Sequence, residues 1–379
     1  MWINMRIKQN TVIYKLFIVV LIVLISLSLS GCYQLMNVFA DKDGLLIMSE
    51  DERIVDLDCI GHLSAIVSDR GNCYVYGEGL HGNRYYGLNE ESRSKYNRFY
   101  NTYVGIYDGG NAVSIELSAD GGCIITDKQE VYLFLNKNFS SDTLQPDNSD
   151  VSFQTPKLFC TGSVDAKLGN DERLYLLKEN GDFGYVTVSE AEDYHNLSHN
   201  IMKFQLTQLN NEDDPILYLL NKDNELFSIN YKGESASTNI SNMNDVVDFD
   251  CLSCFNNYHA FSVLKDNGDA YAYWGLIYHP DNDSDSNATF ELAGTGIDSV
   301  ESYCLGTAML DKQGDVHLFG SDSSSRTPED YQLIFSGETV FHNIESMYGS
   351  SENLFIIRKS GNLEQYGHQP DNTYKSITP

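Results

Sequence analysis

Short apolar runs separated by polar turns occupy most of the chain, and one such pattern recurs. Each copy has a short apolar run, a polar turn that usually holds glycine, and an aromatic-rich run, as in residues 65–77, 261–275 and 308–320. Runs rich in Val, Ile, Leu, Tyr and Phe favour β-strands. Asp, Asn, Lys and Gly tolerate the positive φ angles of tight turns. Each copy therefore predicts a β-hairpin.

Four further copies bring the number of predicted hairpins to seven. Those at 174–186 and 354–367 keep the turn glycine, whereas those at 123–134 and 217–228 lack it. With turns at positions 71, 129, 181, 224, 268, 314 and 361, the spacings are 58, 52, 43, 44, 46 and 47 residues. An additional short strand is predicted before several hairpins, at residues 54–59, 246–251, 297–304 and 343–349.

A period of about 40–50 residues with about four short strands is typical of a β-propeller blade. One small sheet cannot bury both of its faces, but radial packing against neighbouring sheets buries them. The sequence therefore predicts an all-β, seven-bladed β-propeller over residues 41–379, with an N-terminal strand at residues 45–48 closing the last blade. Irregular insertions on one rim are predicted at residues 84–104, 136–156, 190–204, 280–294 and 321–338.

The first copy, which begins at Gly61-His62 and is followed by Tyr86-Gly87-Leu88, resembles the repeat of the regulator of chromosome condensation family. The resemblance covers most of residues 50–370 and is best in copies one, five, six and seven. It implies a seven-bladed propeller. The familiar nuclear member of the family exchanges guanine nucleotides on a small GTPase and contacts nucleosomes. Its nucleosome contacts require a basic surface, which this acidic chain lacks, so its function is not carried over. One secreted bacterial type inhibits β-lactamases through a propeller face, so protein binding is within the reach of such a surface.

The N-terminus has the organisation of a bacterial export signal. A basic segment, residues 1–15, precedes a 15-residue apolar stretch at residues 16–30. That stretch is shorter than the roughly 20 residues of a spanning helix and suits a signal peptide. Its end, Leu29-Ser30-Gly31-Cys32, resembles the lipobox, in which the cysteine thiol accepts a diacylglyceryl group.

This predicts a signal peptide at residues 1–31, lipid attachment at Cys32 and a lipidated tether at residues 32–40. Two acyl chains on one residue hold a protein at a membrane. We therefore expect a cell-membrane lipoprotein on the extracytoplasmic face. The alternative is an uncleaved membrane anchor with an incidental cysteine.

The charge of the chain excludes several classes of partner. Removing the three positive charges of residues 1–31 from the net charge of −29 leaves −32 from Cys32 onward. Such a surface repels phosphate backbones and does not form a basic clamp on anionic lipids. We expect no nucleic-acid partner, an unidentified and basic protein partner, and a monomer.

Two motifs resemble ligand sites without completing one. Residues 281–287 carry carboxylates at alternate positions, but Ser286 and Leu292 stand where an EF-hand needs Gly and Glu. An acidic, solvated insertion is the favoured interpretation, and weak calcium binding stays open. Cys251 and Cys254 have Cys-x-x-Cys spacing without a second pair, which favours core packing over zinc or redox chemistry. Besides Cys32 there are seven cysteines, an odd number, so buried thiols are expected rather than a disulfide framework.

Catalytic motifs are absent from the sequence. It holds no His-Glu-x-x-His, Gly-x-Ser-x-Gly, P-loop or dinucleotide fingerprint. His62 and His259 occupy a repeat position where a structural hydrogen bond is expected. Sialidase-type turns are also missing, and Trp274 is the only tryptophan after the signal segment. We therefore expect no enzyme activity, no cofactor and no metal, and a protein-binding platform. The alternative is an extracytoplasmic carbohydrate-binding or hydrolytic propeller lipoprotein.

Overall fold

The computed structural model describes residues 52–60, 63–77, 97–101, 110–118, 121–135, 156–169, 171–189, 193–207, 215–230, 238–239, 243–253, 258–276, 290–303, 306–320, 338–350, 353–361, 363–367 and 375–377. Every regular element in these ranges is a β-strand. None of the described residues belongs to a helix that is long and apolar enough to cross a membrane.

Within the described ranges, twenty-eight strands form seven four-stranded antiparallel sheets, numbered one to seven along the chain. Sheets one to three contain β1 (Ile54–Ile60), β2 (Leu63–Ser68), β3 (Asn72–Gly77), β4 (Asn97–Asn101), β5 (Ala112–Ser118), β6 (Gly121–Thr126), β7 (Glu130–Leu135), β8 (Lys157–Thr161), β9 (Ser163–Leu168), β10 (Arg173–Lys178), β11 (Phe183–Thr187) and β12 (Tyr194–Ser198). Sheets four and five contain β13 (Ile201–Thr207), β14 (Ile216–Asn221), β15 (Leu226–Asn230), β16 (Thr238–Asn239), β17 (Val246–Ser253), β18 (Tyr258–Lys265), β19 (Ala270–Leu276) and β20 (Glu291–Gly294). Sheets six and seven contain β21 (Ile297–Tyr303), β22 (Gly306–Asp311), β23 (Val316–Gly320), β24 (Glu338–Phe341), β25 (Ile344–Gly349), β26 (Asn353–Arg358), β27 (Leu363–Gly367) and β28 (Lys375–Ile377).

Each predicted hairpin forms the second and third strands of one sheet, so all seven hairpins are confirmed. The predicted insertions were partly wrong. Residues 194–198 form β12 and residues 201–204 belong to β13, while β4 and β20 lie in two other segments that were interpreted as irregular. These fourth strands are short, and they become strands because each pairs with the third strand of its sheet. Their own sequences carry no periodic apolar signal.

The hairpin turns share one backbone conformation. All seven residues at the predicted turn positions have positive φ: Gly71 (70°), Gln129 (60°), Gly181 (91°), Asn224 (63°), Gly268 (84°), Gly314 (88°) and Gly361 (86°). Each turn amide donates to the carbonyl three residues earlier, as Gly268 N does to Lys265 O at 2.9 Å. In the two copies without glycine, Gln129 and Asn224 adopt the left-handed conformation that glycine takes elsewhere.

A second backbone bond joins consecutive sheets from sheet two to sheet seven. The turn carbonyl accepts a hydrogen bond from the first residue of the following sheet, for example from Ile201 N to Gly181 O at 2.9 Å. The bond from Ile344 N to Gly314 O, at 2.8 Å, repeats this arrangement between sheets six and seven. The sheets are therefore joined at equivalent points, which gives the assembly its rotational regularity.

The hydrophobic core lies between neighbouring sheets. Sheets three and four bury Tyr175, Phe183 and Phe204 together, and sheets six and seven enclose Tyr303 and Met347. Aromatic residues of the repeat, Tyr175 and Phe183 among them, thus pack between sheets.

The first and last sheets contact each other and close the ring. Tyr348 Oη in β25 donates to the carbonyl of Val55 in β1 at 3.0 Å, across 293 residues of sequence. One apolar cluster joins the two sheets, with Leu57, Cys59, Ile66, Phe355, Ile357 and Leu363 as its buried members. The four described strands of sheet seven all come from residues 344–377, and the predicted closing strand at 45–48 lies outside the described residues.

Three of the described cysteines are free thiols that pack as the sequence predicted. Cys123 and Cys251 are buried, and Cys160 is half-buried in β8. Burial raises the pKa of both buried thiols well above the ordinary range, so they stay protonated and unreactive.

Candidate binding surface at the centre of the ring

The residues that the sequence singled out do not form one site. Cys32, His62, Cys254 and the acidic segment 281–287 lie outside the described residues, and His259 lies in β18. Among the described residues, no group of three or more His, Cys, Asp or Glu side chains is arranged to hold a metal ion. The most distinctive side-chain arrangement lies instead on the first strands of the seven sheets.

The first strands surround the centre of the ring. β1 packs against β5, β17 against β21, and β25 against both β21 and β1. In β5 and β13 the first, fourth and seventh residues are buried, the second is exposed, and the third and fifth are half-buried. The buried positions pack between sheets, and the third and fifth positions carry the side chains that face the centre.

All third and fifth positions are polar, and we call these fourteen residues the polar centre. The third positions are Asp56, Ser114, Asp165, Lys203, Asp248, Ser299 and Ser346. The fifth positions are Asp58, Glu116, Lys167, Gln205, Asp250, Glu301 and Tyr348. Lys167 on sheet three interacts electrostatically with Asp58 on sheet one as well as with Glu116 on sheet two, so these side chains converge on one region.

Carboxylates of the polar centre bind the backbone of the next sheet. Asp58 Oδ2 accepts from Leu117 N at 2.5 Å, and Asp250 Oδ2 accepts from Ser302 N at 2.7 Å. Glu301 accepts from the backbone amide Gly349 N in the same way, at 3.3 Å. The inner edge of a first strand has amides without a strand partner, and a buried amide needs an acceptor. These carboxylates supply it.

Side-chain pairs add further connections between sheets. Lys167 Nζ lies 2.6 Å from Glu116 Oε2, and Lys203 Nζ lies 2.6 Å from Asp248 Oδ1. Gln205 donates to Asp250 Oδ1 at 2.7 Å. The polar centre holds seven carboxyls and two lysines, so it carries a surplus of negative charge when fully ionised.

Burial changes the protonation of this region. It raises the pKa of Asp58 to about 6, although Leu117 N and Lys167 act in the opposite direction. It raises the pKa of Glu116 to about 8, with the neighbouring charges of Asp58 and Asp165 adding to the effect. Burial alone would lower the pKa of Lys167, but Glu116 and Asp165 reverse this, and the lysine stays charged. Near neutral pH the polar centre therefore keeps protons on some of its carboxyls.

The second position of every first strand is a β-bulge. Pairing between first and second strands skips this residue in each sheet, for example between Ile54 and Asp56 in β1. The skipped residues are Val55, Val113, Val164, Met202, Val247, Asp298 and Glu345. Because the start of each first strand pairs with the end of the second, these residues lie at the end of the ring that carries the hairpin turns.

Five consecutive sheets expose an aliphatic side chain at the bulge, and we call these five residues the apolar arc. Their exposed fractions are 46% for Val55, 46% for Val113, 42% for Val164, 43% for Met202 and 36% for Val247. In the described part of the chain only two other large apolar side chains are as exposed, Leu158 in β8 and Leu292 in β20. Isolated exposed apolar residues are ordinary, but a contiguous set rimmed by polar groups marks interaction surfaces.

The sequence contained this pattern, but the hairpin signal masked it. At residues such as 54–59 and 246–251 the sequence predicts only an additional strand before the hairpin. Aligning the seven copies on that strand places a valine or methionine second in copies one to five, an acid second in copies six and seven, and a polar residue third and fifth in all seven. Ordinary alternation does not distinguish the second position from the buried ones, because the bulge changes its direction.

Comparison with known proteins supports the fold alone. No family model matches the chain, and no curated protein matches it in sequence. Human WBSCR16 is similar in structure, with a TM-score of 0.56 at 12% identity over 82% of this chain and 89% of that one. The β-propeller domain of Cps50 (Swd1) from Myceliophteria thermophila gives 0.51 at 10% identity, over 84% and 97%. Yeast RCC1 (Prp20), from a complex with Kap60, gives 0.42 at 13% identity, over 86% and 75%.

The structural similarities to WBSCR16 and to the Cps50 β-propeller domain, both with TM-scores above 0.5, agree with the seven antiparallel sheets and the closed ring described above. The chain has the β-propeller fold.

Proposed function

We propose that this protein is a non-catalytic binding platform that recognises another protein at the hairpin end of its propeller. The observation that carries the proposal is the apolar arc, which exposes aliphatic side chains on five consecutive sheets around the centre. A folded protein gains stability by burying such groups, so their repeated exposure favours a surface that a partner covers.

Three carboxylates of the polar centre favour a structural role over a catalytic one. Its carboxylates Asp58, Asp250 and Glu301 accept hydrogen bonds from backbone amides of adjacent sheets. A general acid or base needs a carboxyl that is available to a substrate, whereas these oxygens hold the ring together. We assign them a structural role.

We further propose that the propeller is held at the extracytoplasmic face of the cell membrane by lipid on Cys32. The support is the sequence Leu29-Ser30-Gly31-Cys32 after a basic segment and a short apolar stretch. Replacing Cys32 with Ala should abolish incorporation of labelled fatty acid and leave an unprocessed precursor. Cys160→Ala, which changes another thiol, is the control and should be labelled like the wild type. Labelling that survives Cys32→Ala would contradict the proposal.

Protein binding is tested with the purified full chain, immobilised and exposed to solubilised membrane and extracellular proteins. A captured protein must then bind in a purified two-component titration, with an affinity that the wild type reproduces in solution. A glycan array run in parallel tests the carbohydrate alternative. Binding to glycans together with failure of every protein titration would overturn the proposed function.

A further inference from the structure

We propose that the apolar arc, with Asp298 and Glu345 beside it, forms one docking surface for a protein segment that places an aliphatic or aromatic side chain next to a lysine or arginine. The inference rests on the proposed function and specifies the partner chemistry of that site. It follows from the composition of the seven bulge positions.

The bulge geometry gives these seven positions equivalent places in the ring. A bulged residue is skipped by the pairing, and its side chain is directed away from its neighbours in the strand. The fold does not require an apolar residue there, because sheets six and seven carry Asp298 and Glu345 at the same position. The aliphatic side chains on sheets one to five are therefore not needed for the strand to form.

The ring of bulge positions is divided into two sectors. Sheets one to five present the apolar arc, and sheets six and seven present two exposed acids. Because sheet seven contacts sheet one, the acidic sector lies beside both ends of the apolar arc. A ligand that spans both sectors buries an apolar group on one side and pairs a positive charge on the other.

Charge complementarity predicts that the partner segment carries a positive charge. The polar centre next to the bulge positions has more carboxyls than lysines, and the chain from Cys32 onward carries −32. Lysines at the surrounding hairpin turns are partly engaged within the ring. Lys222 Nζ donates to Asn180 O at 3.2 Å and Lys359 Nζ donates to Gln313 O at 3.3 Å. Asp298 and Glu345 are exposed acids at the bulge positions of sheets six and seven, and a basic group complements them.

A second copy of the chain is a poorer occupant. Two copies that met through this surface would bring two strongly acidic molecules together and face acids against acids or against apolar groups. A separate segment with adjacent apolar and basic side chains avoids both the repulsion between acidic molecules and the burial of acids against apolar groups. We therefore assign the surface to such a segment.

The test uses peptides selected from a random phage-displayed library on the immobilised full chain. Selected peptides should contain an apolar residue close to Lys or Arg, and a synthetic copy of the best peptide serves as the probe in titrations. Val113→Asp combined with Met202→Asp should lower the affinity for the probe peptide by at least about tenfold, since hot-spot residues contribute on this scale. These changes should leave the fold intact, because Asp298 already occupies the equivalent position in β21.

Leu158→Asp combined with Leu292→Asp is the matched control. It introduces the same charge at apolar residues that are at least as exposed, but on fourth strands. The control should bind the probe like the wild type. Asp298→Lys combined with Glu345→Lys should also weaken binding about tenfold and reduce its sensitivity to salt.

The outcomes separate this inference from the proposed function. Peptides or proteins that bind the wild type and the arc variants equally would overturn the docking surface while leaving the platform function in place. Selection of acidic apolar peptides would overturn the charge assignment. Concentration-dependent dimerisation that the arc variants abolish would overturn the choice of occupant. Failure to obtain any protein or peptide binder would overturn the proposed function and the inference with it.

Discussion

At the residue scale, the turn residues determine where the chain reverses. Five of the seven hairpin turns use glycine with positive φ, and Gln129 and Asn224 replace it in the other two. Glycine reaches this conformation without a steric cost, whereas other L-residues pay roughly 1–2 kcal/mol. The turn at Gln129 therefore stores a small amount of backbone strain, whereas the asparagine at position 224 tolerates this conformation better.

Gly268→Ala should lower the free energy of unfolding by about 1–2 kcal/mol, because the backbone conformation disfavours a Cβ. A Cβ at this position would meet no heavy atom closer than 3.4 Å, so crowding adds little. Gln129→Gly should change stability in the opposite direction and is the paired variant. Urea unfolding of both variants measures the difference. A Gly268→Ala variant with the same free energy of unfolding as the wild type would contradict the turn assignment.

The ionisation of Glu116 is a second residue-scale property. Its pKa rises from an ordinary value of 4.5 to about 8 on folding, chiefly through burial. The folded state then binds the proton more tightly than the unfolded state. Its contribution to stability is fully present below about pH 4.5 and is lost as the pH rises through about 8.

The free energy of unfolding should therefore decrease between pH 5 and 8.5, and Glu116→Gln should flatten this dependence. Asp58, with a pKa raised to about 6, contributes a similar loss at lower pH. Urea titrations across this range measure both slopes. Glu345→Gln, at an exposed bulge position, is the control and should keep the wild-type slope. An identical slope for Glu116→Gln would show that this carboxyl does not titrate as described.

At the element scale, the first strands combine three tasks that a simple alternating strand does not. Their buried positions pack between sheets, and their third and fifth positions join adjacent sheets by polar contacts. Their bulged second positions face outward at one end of the ring. This division explains why the first strands resemble one another more in pattern than the fourth strands do.

Asp250 provides the clearest test of the polar connections. It accepts from Ser302 N and from Gln205, so it links sheets four, five and six. Asp250→Ala should cost about 2–3 kcal/mol, because buried donors lose a charged acceptor. Asp250→Asn keeps one acceptor oxygen and should cost less. Asp298→Ala is the exposed control, expected to stay within about 0.5 kcal/mol of the wild type in chemical denaturation. Equal effects of Asp250→Ala and Asp298→Ala would show that the connection does not stabilise the ring.

At the scale of the whole molecule, stability depends on closing the ring between sheets one and seven. The contact is formed by the hydrogen bond from the Tyr348 hydroxyl to the Val55 carbonyl and by the apolar cluster that includes Phe355 and Leu57. Among the described strands no hydrogen-bonded hairpin joins these two sheets, and the residues that connect them lie about 300 positions apart. Contacts of such high sequence separation slow folding, because the loop between them must close first.

Phe355→Ala should destabilise the protein by about 3–5 kcal/mol through loss of apolar contact and creation of a cavity. Hydrogen exchange should accelerate in β1 and β2 as well as in β26, because the ring opens where the two sheets meet. Phe204→Ala, in the cluster between sheets three and four, is the matched control. It should have a similar cost but accelerate exchange in sheets three and four. Equal exchange patterns for the two variants would contradict a ring that closes at this contact.

The sequence by itself determined the hairpins, their number and their turn residues. These are local features, since apolar strands with a turn residue between them carry their own signal. The β-propeller followed from the repeat, because a small sheet with two apolar faces must pack against neighbours on both sides. The export signal and Cys32 were also defined by local sequence, and they stay predictions.

The tertiary structure alone decided the fourth strands, the polar centre and the apolar arc. Strand β12 is polar and becomes a strand through pairing with β11. Lys167 and Asp58 lie far apart in sequence and interact because the ring brings their strands to one centre. Val113 and Met202 resemble core residues in the sequence, and a bulge in each strand exposes them instead. Sequence pattern records which residues are apolar, but the direction of a side chain depends on backbone pairing with another strand.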